Sequence, residues 1–299
     1  ARLALEARCA FVTADIARTK GRLDGLVNAA GIVVLGSVED TDLATFRRVL
    51  AVNLDGTFLA GHPENRQRLY QLSTAHPDIK LVFVTGRGLE VVIPLLSDPS
   101  VPTPDYIVCD VGGTVVDGHT LQPIQPLQSQ IDQRWPGERV VVDAVASFSG
   151  IERQEVPQQR RCSYFCEPGA VTAELRDIAR SLGCEVLYSA GRYLDILPKG
   201  VNKGSTLAAL VRLLGGDDGS VLVAGDTLND LSMYEQGFVG VCVGESERAL
   251  LDATADRACV LHARHAGCGG ILDAVGHFGF LGTGGGEAVD AEPRRQRPH

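Results

Sequence analysis

Four short segments carry side chains whose types and spacing suit phosphate chemistry. The first is Val52-Asn53-Leu54-Asp55-Gly56-Thr57. An apolar run followed by polar residues two apart, then Gly-Thr, would set both polar side chains at the carboxyl end of a strand, where open α/β sheets hold ligands. The second, Val82-Phe83-Val84-Thr85-Gly86-Arg87, would deliver a hydroxyl and a backbone N–H to the same edge. The third, Asn202-Lys203-Gly204, places a cation at a helix start. The fourth is Gly225-Asp226-Thr227-Leu228-Asn229-Asp230, where two carboxylates and an amide could hold a hard divalent cation such as Mg2+. Singly, each has a plain structural reading: a Thr closing a strand, a solvated Lys, aspartates that cap a turn. Together and in this order they point to one site.

The elements that must position these groups can be read from apolar patterning. Residues 64–75 read as an amphipathic helix, 80–84 as a buried strand, 88–96 as a helix and 105–109 as a strand. This alternation implies a parallel α/β sheet. Residues 119–195 are Gln-rich and Pro-punctuated, with strand-like Ser163-Tyr164-Phe165, a helix over 171–182 and a strand over 185–188, which reads as an α+β insertion. A helix over 204–214 stopped by Gly215-Gly216, and a strand over 221–224, resume the alternation. Residues 283–299 read as a Gly-, Pro- and Arg-rich disordered tail.

Composition bounds the function. The 299 residues leave room for about two domains. They are 44% hydrophobic and 22% charged, as expected of a chain with a real core. A net charge of −9 with scattered cations argues against nucleic acid. No apolar run is long enough for a membrane span and no signal peptide opens the chain, so a cytoplasmic setting is expected. The opening Ala1-Arg2-Leu3-Ala4 reads like the middle of a helix, so the sequence is expected to begin inside a longer protein. The eight cysteines read as reduced thiols, and Cys162 with Cys166 as idle rather than zinc-binding.

From about residue 49 to 281 the chain resembles the haloacid dehalogenase (HAD) superfamily, and within it the sucrose-phosphate phosphatase-like branch with a C2 cap. The branch resemblance rests on Pro104-Asp105-Tyr106, Ser163-Tyr164, Tyr188-Ser189, Asp195-Ile196-Leu197-Pro198, Asn202-Lys203-Gly204 and His265-Ala266-Gly267, with Gly270-Ile271-Leu272 and His277-Phe278-Gly279-Phe280-Leu281 closing it. It implies a Rossmann-like parallel sheet with an inserted α+β cap, and Mg2+-dependent hydrolysis of a small-molecule sugar phosphate by two-step phosphoryl transfer. Position 53 would be the nucleophile. Asp55 would protonate the leaving sugar oxygen and then activate water, Thr85 would bond the phosphoryl group, and Lys203 would neutralise it. Asp226 and Asp230, with positions 53 and 55, would anchor Mg2+. Gly56, Thr57, Gly86, Arg87 and Asn229 would line the phosphate site, and Tyr164, Ser189 and Asp195 would choose the sugar. The pattern is broken at its centre: position 53 is Asn53, where the family has Asp.

Residues 1–60 resemble short-chain dehydrogenases. Asp15 matches an acid that lies near the adenine ring there, Asn28-Ala29-Ala30-Gly31 matches a strand end, and Asn53 matches an active-site Asn. The two resemblances meet at residues 53–60, the expected junction. The fragment lacks a glycine-rich dinucleotide turn and a Tyr-x-x-x-Lys, Tyr193 and Lys199 having the wrong spacing. No dinucleotide cofactor is therefore expected. Asp40-Thr41-Asp42 offers a helix N-cap, with a helical pattern through Leu43, Phe46 and Leu50. The dehydrogenase reading makes 41–60 one helix, whereas the phosphatase reading makes 48–52 the central strand. The strand is expected to win, because the downstream chain needs it buried.

The domains expected are 1–47, a dehydrogenase-like fragment and incomplete α/β segment; 48–118 and 196–282, the two parts of the core; 119–195, the cap; and 283–299, the tail. Asp110-Val111-Gly112-Gly113-Thr114 mimics the opening motif but reads as a turn into the cap. His262 and His265 read as a surface pair at helical spacing, and Gly284-Gly285-Gly286 as a linker. The alternatives are a catalytically inactive sugar-phosphate binder, a fusion product without a selected role, and an NAD-binding dehydrogenase.

Overall fold

The run Arg48–Asn53, buried on both faces, forms strand β1, as a parallel strand covered by helices must. The computed structural model describes residues 48–281. The chain divides into two units, residues 1–46 and 47–299, and the first lies outside the described residues together with the tail. The dehydrogenase-like segment, its expected helix up to residue 47 and the Gly284–Gly286 linker therefore lie outside it too.

After β1 come α1 (Pro63–Ala75), β2 (Ile79–Val84), α2 (Leu89–Leu96), β3 (Tyr106–Cys109) and β4 (Thr114–Asp117). Helices α3 (Leu127–Asp132) and α4 (Glu138–Val145) lead to β5 (Ile151–Arg153), β6 (Cys162–Cys166), α5 (Ala173–Ser181), β7 (Cys184–Ser189) and β8 (Tyr193–Pro198). Then follow α6 (Lys203–Leu213), β9 (Val221–Gly225), α7 (Leu231–Tyr234), β10 (Val239–Gly244), α8 (Arg248–Thr254), β11 (Val260–Ala266) and α9 (Cys268–His277). Among the described residues no helix is long and apolar enough to cross a membrane.

The main sheet runs β11-β10-β9-β1-β2-β3-β4, parallel except for β4, which returns antiparallel to β3. The order reverses between β1 and β9: the chain builds outward from β1 through β2 and β3, then crosses back to lay β9 on the other side of β1. That reversal opens a crevice at the carboxyl ends of β1 and β9. Leu50, Val52, Phe83 and Leu222 fill the core with Phe58, which stacks on Tyr70 at 4.7 Å between ring centroids.

A second, antiparallel sheet of order β5-β6-β8-β7 forms the cap. One face packs on α4 and α5 through Val141, Leu175, Tyr164 and Leu194. The strand period of two sends Ser163 and Phe165 of β6, with Tyr193 and Asp195 of β8, to the other face. Helix α5 starts at Thr172, whose hydroxyl accepts the Leu175 N–H at 3.2 Å.

Several expectations are corrected. Leu50 lies in β1, so the strand expected to prevail over 48–52 does so and the helical pattern drawn through Leu50 gives way. The turn at Asp110 joins β3 to β4 inside the core sheet, because Asp110 and Val111 take φ of 52° and 58° and reverse the chain. His262 and His265 lie on β11, not a helix: His262 Nε2 pairs with Thr254 Oγ1 at 2.8 Å and His265 Nδ1 with Asp273 at 2.7 Å.

Gly204 ties the second half of the fold together. A Cβ there would sit 1.8 Å from the backbone oxygen of Ser232, so α6 and α7 touch only because the side chain is absent. Gly204→Ala is expected to cost about 1–3 kcal/mol of stability in denaturant unfolding. Unchanged stability would contradict this packing.

Candidate active site

β1 ends at Asn53, and the chain enters a wide turn, Leu54–Phe58, closed by the Leu59 N–H on the Leu54 carbonyl at 3.0 Å. The Asn53 side-chain oxygen accepts the Asp55 N–H at 3.1 Å, and the Thr57 hydroxyl donates to the Asn53 carbonyl. Asp55 is turned toward the cleft, where Arg87 reaches it at 2.5 Å and the Thr85 hydroxyl approaches at 3.4 Å. Thr85 in turn accepts the Arg87 N–H at 3.1 Å, fixing the turn after β2.

Opposite this edge, β9 delivers Gly225-Asp226, and the following turn brings Asn229 and Asp230. Asp230 has no exposed surface. Its carboxylate accepts both Asn53 Nδ2 contacts (2.8 and 3.0 Å), Lys203 Nζ (2.7 Å) and the backbone N–H groups of Asp226 (3.0 Å) and Thr227 (3.2 Å). Lys203 is the first residue of α6, after Asn202 and Ser205 cap the helix reciprocally. A cation at a helix N-terminus opposes the helix dipole, so the buried ammonium depends on Asp230 and on Asn229 Oδ1 at 2.9 Å.

Asp226 is the unsatisfied member of the group. Its Oδ1 is buried without a hydrogen-bond partner. Burial first, then the neighbouring Asp230 carboxylate, pushes its carboxyl up to about 7; Glu247 and Asp55 add to the rise and Lys203 opposes it. Gly56 lets the β1 turn come this close, since a Cβ there would fall 1.7 Å from Asp226 Oδ2.

The groups open on a cleft of about 460 Å³ between core and cap. Asn53, Asp55, Gly56, Gly86 and Arg87 line one side, with Lys203, Asp226 and Asn229 beside them. The cap contributes Ser189 and Asp195. Thr57, Thr85 and Asp230 are fully buried behind this wall. Tyr164 corrects the expectation: strand alternation turns it into the cap's apolar cluster, where its hydroxyl has no partner, so it does not face the cleft.

Sequence reasoning missed Arg161, because a single Arg before a strand carries no motif. It is only 6% exposed and spans core and cap, bonding the Gly86 carbonyl at 2.5 Å and lying 3.6 Å from Asp110 and 3.5 Å from Asp195. Asp110 is buried beneath it, which pushes its carboxyl up, with Arg161 opposing. Ser163 on β6 donates to Asp195 and lines the cleft, as does Tyr193. Their strand partners in β8 and β6 would have identified them, but that pairing is not readable from one strand alone.

Residues 46–279 match the family model described as sucrose-6F-phosphate phosphohydrolase. Residues 4–66 match one described as enoyl-(acyl carrier protein) reductase, so both matches include Asn53. Over 238 residues, 79% of this chain, it is 60% identical to a glucosylglycerol-phosphate synthase of Pseudomonas anguilliseptica, of which it covers 31%. It is 31% identical to probable sucrose-phosphatase 2 of Arabidopsis thaliana, covering 78% of this chain and 60% of that one. It is also 30% identical to the mannosylfructose-phosphate phosphatase of Agrobacterium fabrum, covering 78% of this chain and 97% of that one. The chain thus spans less than two thirds of the first two relatives. In fold it is similar to a Synechocystis sucrose-phosphatase solved with sucrose and phosphate, with a TM-score of 0.70 at 24% identity over 79% of this chain and 99% of that one. Haloacid dehalogenase-like hydrolases, such as one from Bacillus subtilis at a TM-score of 0.55 and 15% identity over 78% of this chain and 90% of that one, share the fold. With the match running from the start of β1 through α9, the chain belongs to the sucrose-6F-phosphate phosphohydrolase family.

Proposed function

We propose that residues 48–281 form a Mg2+-dependent sugar-phosphate phosphatase whose turnover is held back by the amide at Asn53. The observation that carries this reading is the convergence of Asp55, Lys203 and Asp226 on one cleft around Asn53. The 60% identity to the glucosylglycerol-phosphate synthase makes glucosylglycerol phosphate the first substrate to try, ahead of the mannosylfructose and sucrose phosphates. The proposed setting is the cytoplasm.

In this reading the phosphoryl group lies over Asn53, with Lys203 opposing its charge and the backbone at Gly86 bonding its oxygens, while Thr85, buried behind the wall, holds the turn through the Arg87 N–H. Asp55 gives its proton to the leaving sugar oxygen and takes one from the attacking water. The residues fit a divalent cation: Asp226 holds a buried oxygen with no protein partner, and its neighbours are carboxylates. Asp226 and the Asn53 side-chain oxygen would hold Mg2+, which would supply positive charge to the phosphoryl oxygens and leave the Asp55 carboxyl free to carry its proton. Asp230 is engaged by protein donors, so its proposed part is to fix Asn53 and Lys203. Among the described residues no group of three His, Cys, Asp or Glu side chains forms a metal cage.

The same amide favours a second reading, a sugar-phosphate binder that does not turn over. An amide oxygen bears no formal charge and attacks phosphorus poorly. The Asn53–Asp230 pair meanwhile keeps the site assembled.

Asn53→Asp is expected to raise phosphate release from glucosylglycerol phosphate with Mg2+ at least about tenfold, measured as inorganic phosphate. No gain would mean that position 53 is not the attacking position. In chelator, the same substitution sets two carboxylates together and removes both Asn53 Nδ2 contacts to Asp230. It is expected to cost about 1–3 kcal/mol of stability in a thermal melt, recovered on adding Mg2+. The pH dependence follows from Asp226. Its folded pKa is raised above the unfolded value, so its contribution to stability falls as pH rises from about 4 to about 7. A cation favours the ionised form, so Mg2+ should raise the melting temperature more near pH 8 than near pH 5.5. An equal rise at both would remove Asp226 from the metal site.

A further inference from the structure

The cap sheet carries a feature that the phosphate chemistry does not use. Phe165 on β6 and Tyr193 on β8 are cross-strand partners on the cleft-facing side, next to the Ser163–Asp195 pair. Both residues are exposed, at 38% and 36%. Their centroids are 6.0 Å apart and their planes tilted by 43°. The Arg192 guanidinium lies over both, 4.9 Å from the Phe165 ring and 5.3 Å from the Tyr193 ring, which holds the rings as a unit. Tyr193 borders the central cleft, while Phe165 borders a second depression of about 440 Å³, edged by Glu152, Glu167 and Arg192. The aromatic pair is thus a ledge between two hollows.

Resting on the phosphatase reading, the geometry points to Phe165 and Tyr193 as the platform on which the sugar ring farthest from the phosphate stacks. A pyranose has one face of C–H groups, apolar and slightly positive at hydrogen, which matches the negative face of an aromatic ring. Its hydroxyls point outward, where Ser163 and Asp195 stand on the cleft side and Glu152 and Glu167 on the other. Such a ledge recognises glycosyl phosphates, in which a ring sits beyond the phosphate-bearing unit, and gives nothing to a phosphate ester lacking that ring.

The test is titration calorimetry of the chain with glucosylglycerol phosphate and with glycerol phosphate, the same phosphate ester without the ring. Phe165→Ala/Tyr193→Ala is expected to weaken glucosylglycerol phosphate roughly tenfold, with glycerol phosphate as control changing less than about twofold. Tyr193→Phe, which keeps the ring, is expected to bind like the parent, and thermal melts report whether each variant is folded. Equal weakening of both ligands, or of neither, overturns the ledge. If neither phosphate ester binds the parent chain, the phosphatase reading itself fails. Unphosphorylated glucosylglycerol then decides on the ledge alone: binding lost in the double variant supports it, and equal or absent binding in both overturns it.

Discussion

A carboxylate sealed from water has to be met by donors on every side, and Asp230 sets that constraint at the centre of the molecule. Its oxygens draw in the Asn53 amide from the end of β1, the Lys203 ammonium from the start of α6, and backbone N–H groups from the turn after β9. These elements are far apart in sequence and adjacent only because β9 lies against β1. The carboxylate therefore fixes the relative position of the three segments that face the cleft. It also gives Asn53 a physical reason to be tolerated. With Asp at 53, two carboxylates would oppose each other and require a cation; with Asn, the pair is satisfied by hydrogen bonds.

The second constraint is charge. In the proposed function a chain of net charge −9 receives an anionic ester, and the positive groups that it offers are local. Lys203 is buried at the floor and Arg87 stands at the rim beside Asp55, while Arg161 bridges core to cap from below Asp195. Asp226 lines the same cleft and keeps a buried oxygen without a protein partner. Arg161 also couples the walls mechanically, since its guanidinium bonds the Gly86 carbonyl and lies near both Asp110 and Asp195.

How far the sequence discloses this differs from element to element. Strands β1, β2 and β9 are unbroken apolar runs, and the polar residues that end them are legible because parallel strands deliver their carboxyl ends to one edge. The competition over residue 50 is legible too, because only a buried strand at 48–53 supplies partners to both β2 and β9. Strand β4 is not legible, since the left-handed backbone at Asp110 and Val111 that creates it bears no residue signal. The cap side of the cleft is only half legible. Ser189 and Asp195 line the cleft, but which of Ser163 and Tyr164 faces it depends on strand phase, and Tyr164 proves to be core. Arg161 acts through contacts with residues 75, 51 and 34 positions away, which no local pattern encodes.

Asn53 sits where two family matches overlap. In the proposed function the Asn53 amide preserves the cradle while disabling the attacking atom. The most direct test takes one preparation of the chain as it stands, with Mg2+, and measures the affinity for glucosylglycerol phosphate by calorimetry and phosphate release over the same hours. The account predicts saturable binding, with release far slower than the ligand's exchange on and off the protein. Binding accompanied by rapid, repeated release would contradict it, because the attacking group would then have to be something other than position 53.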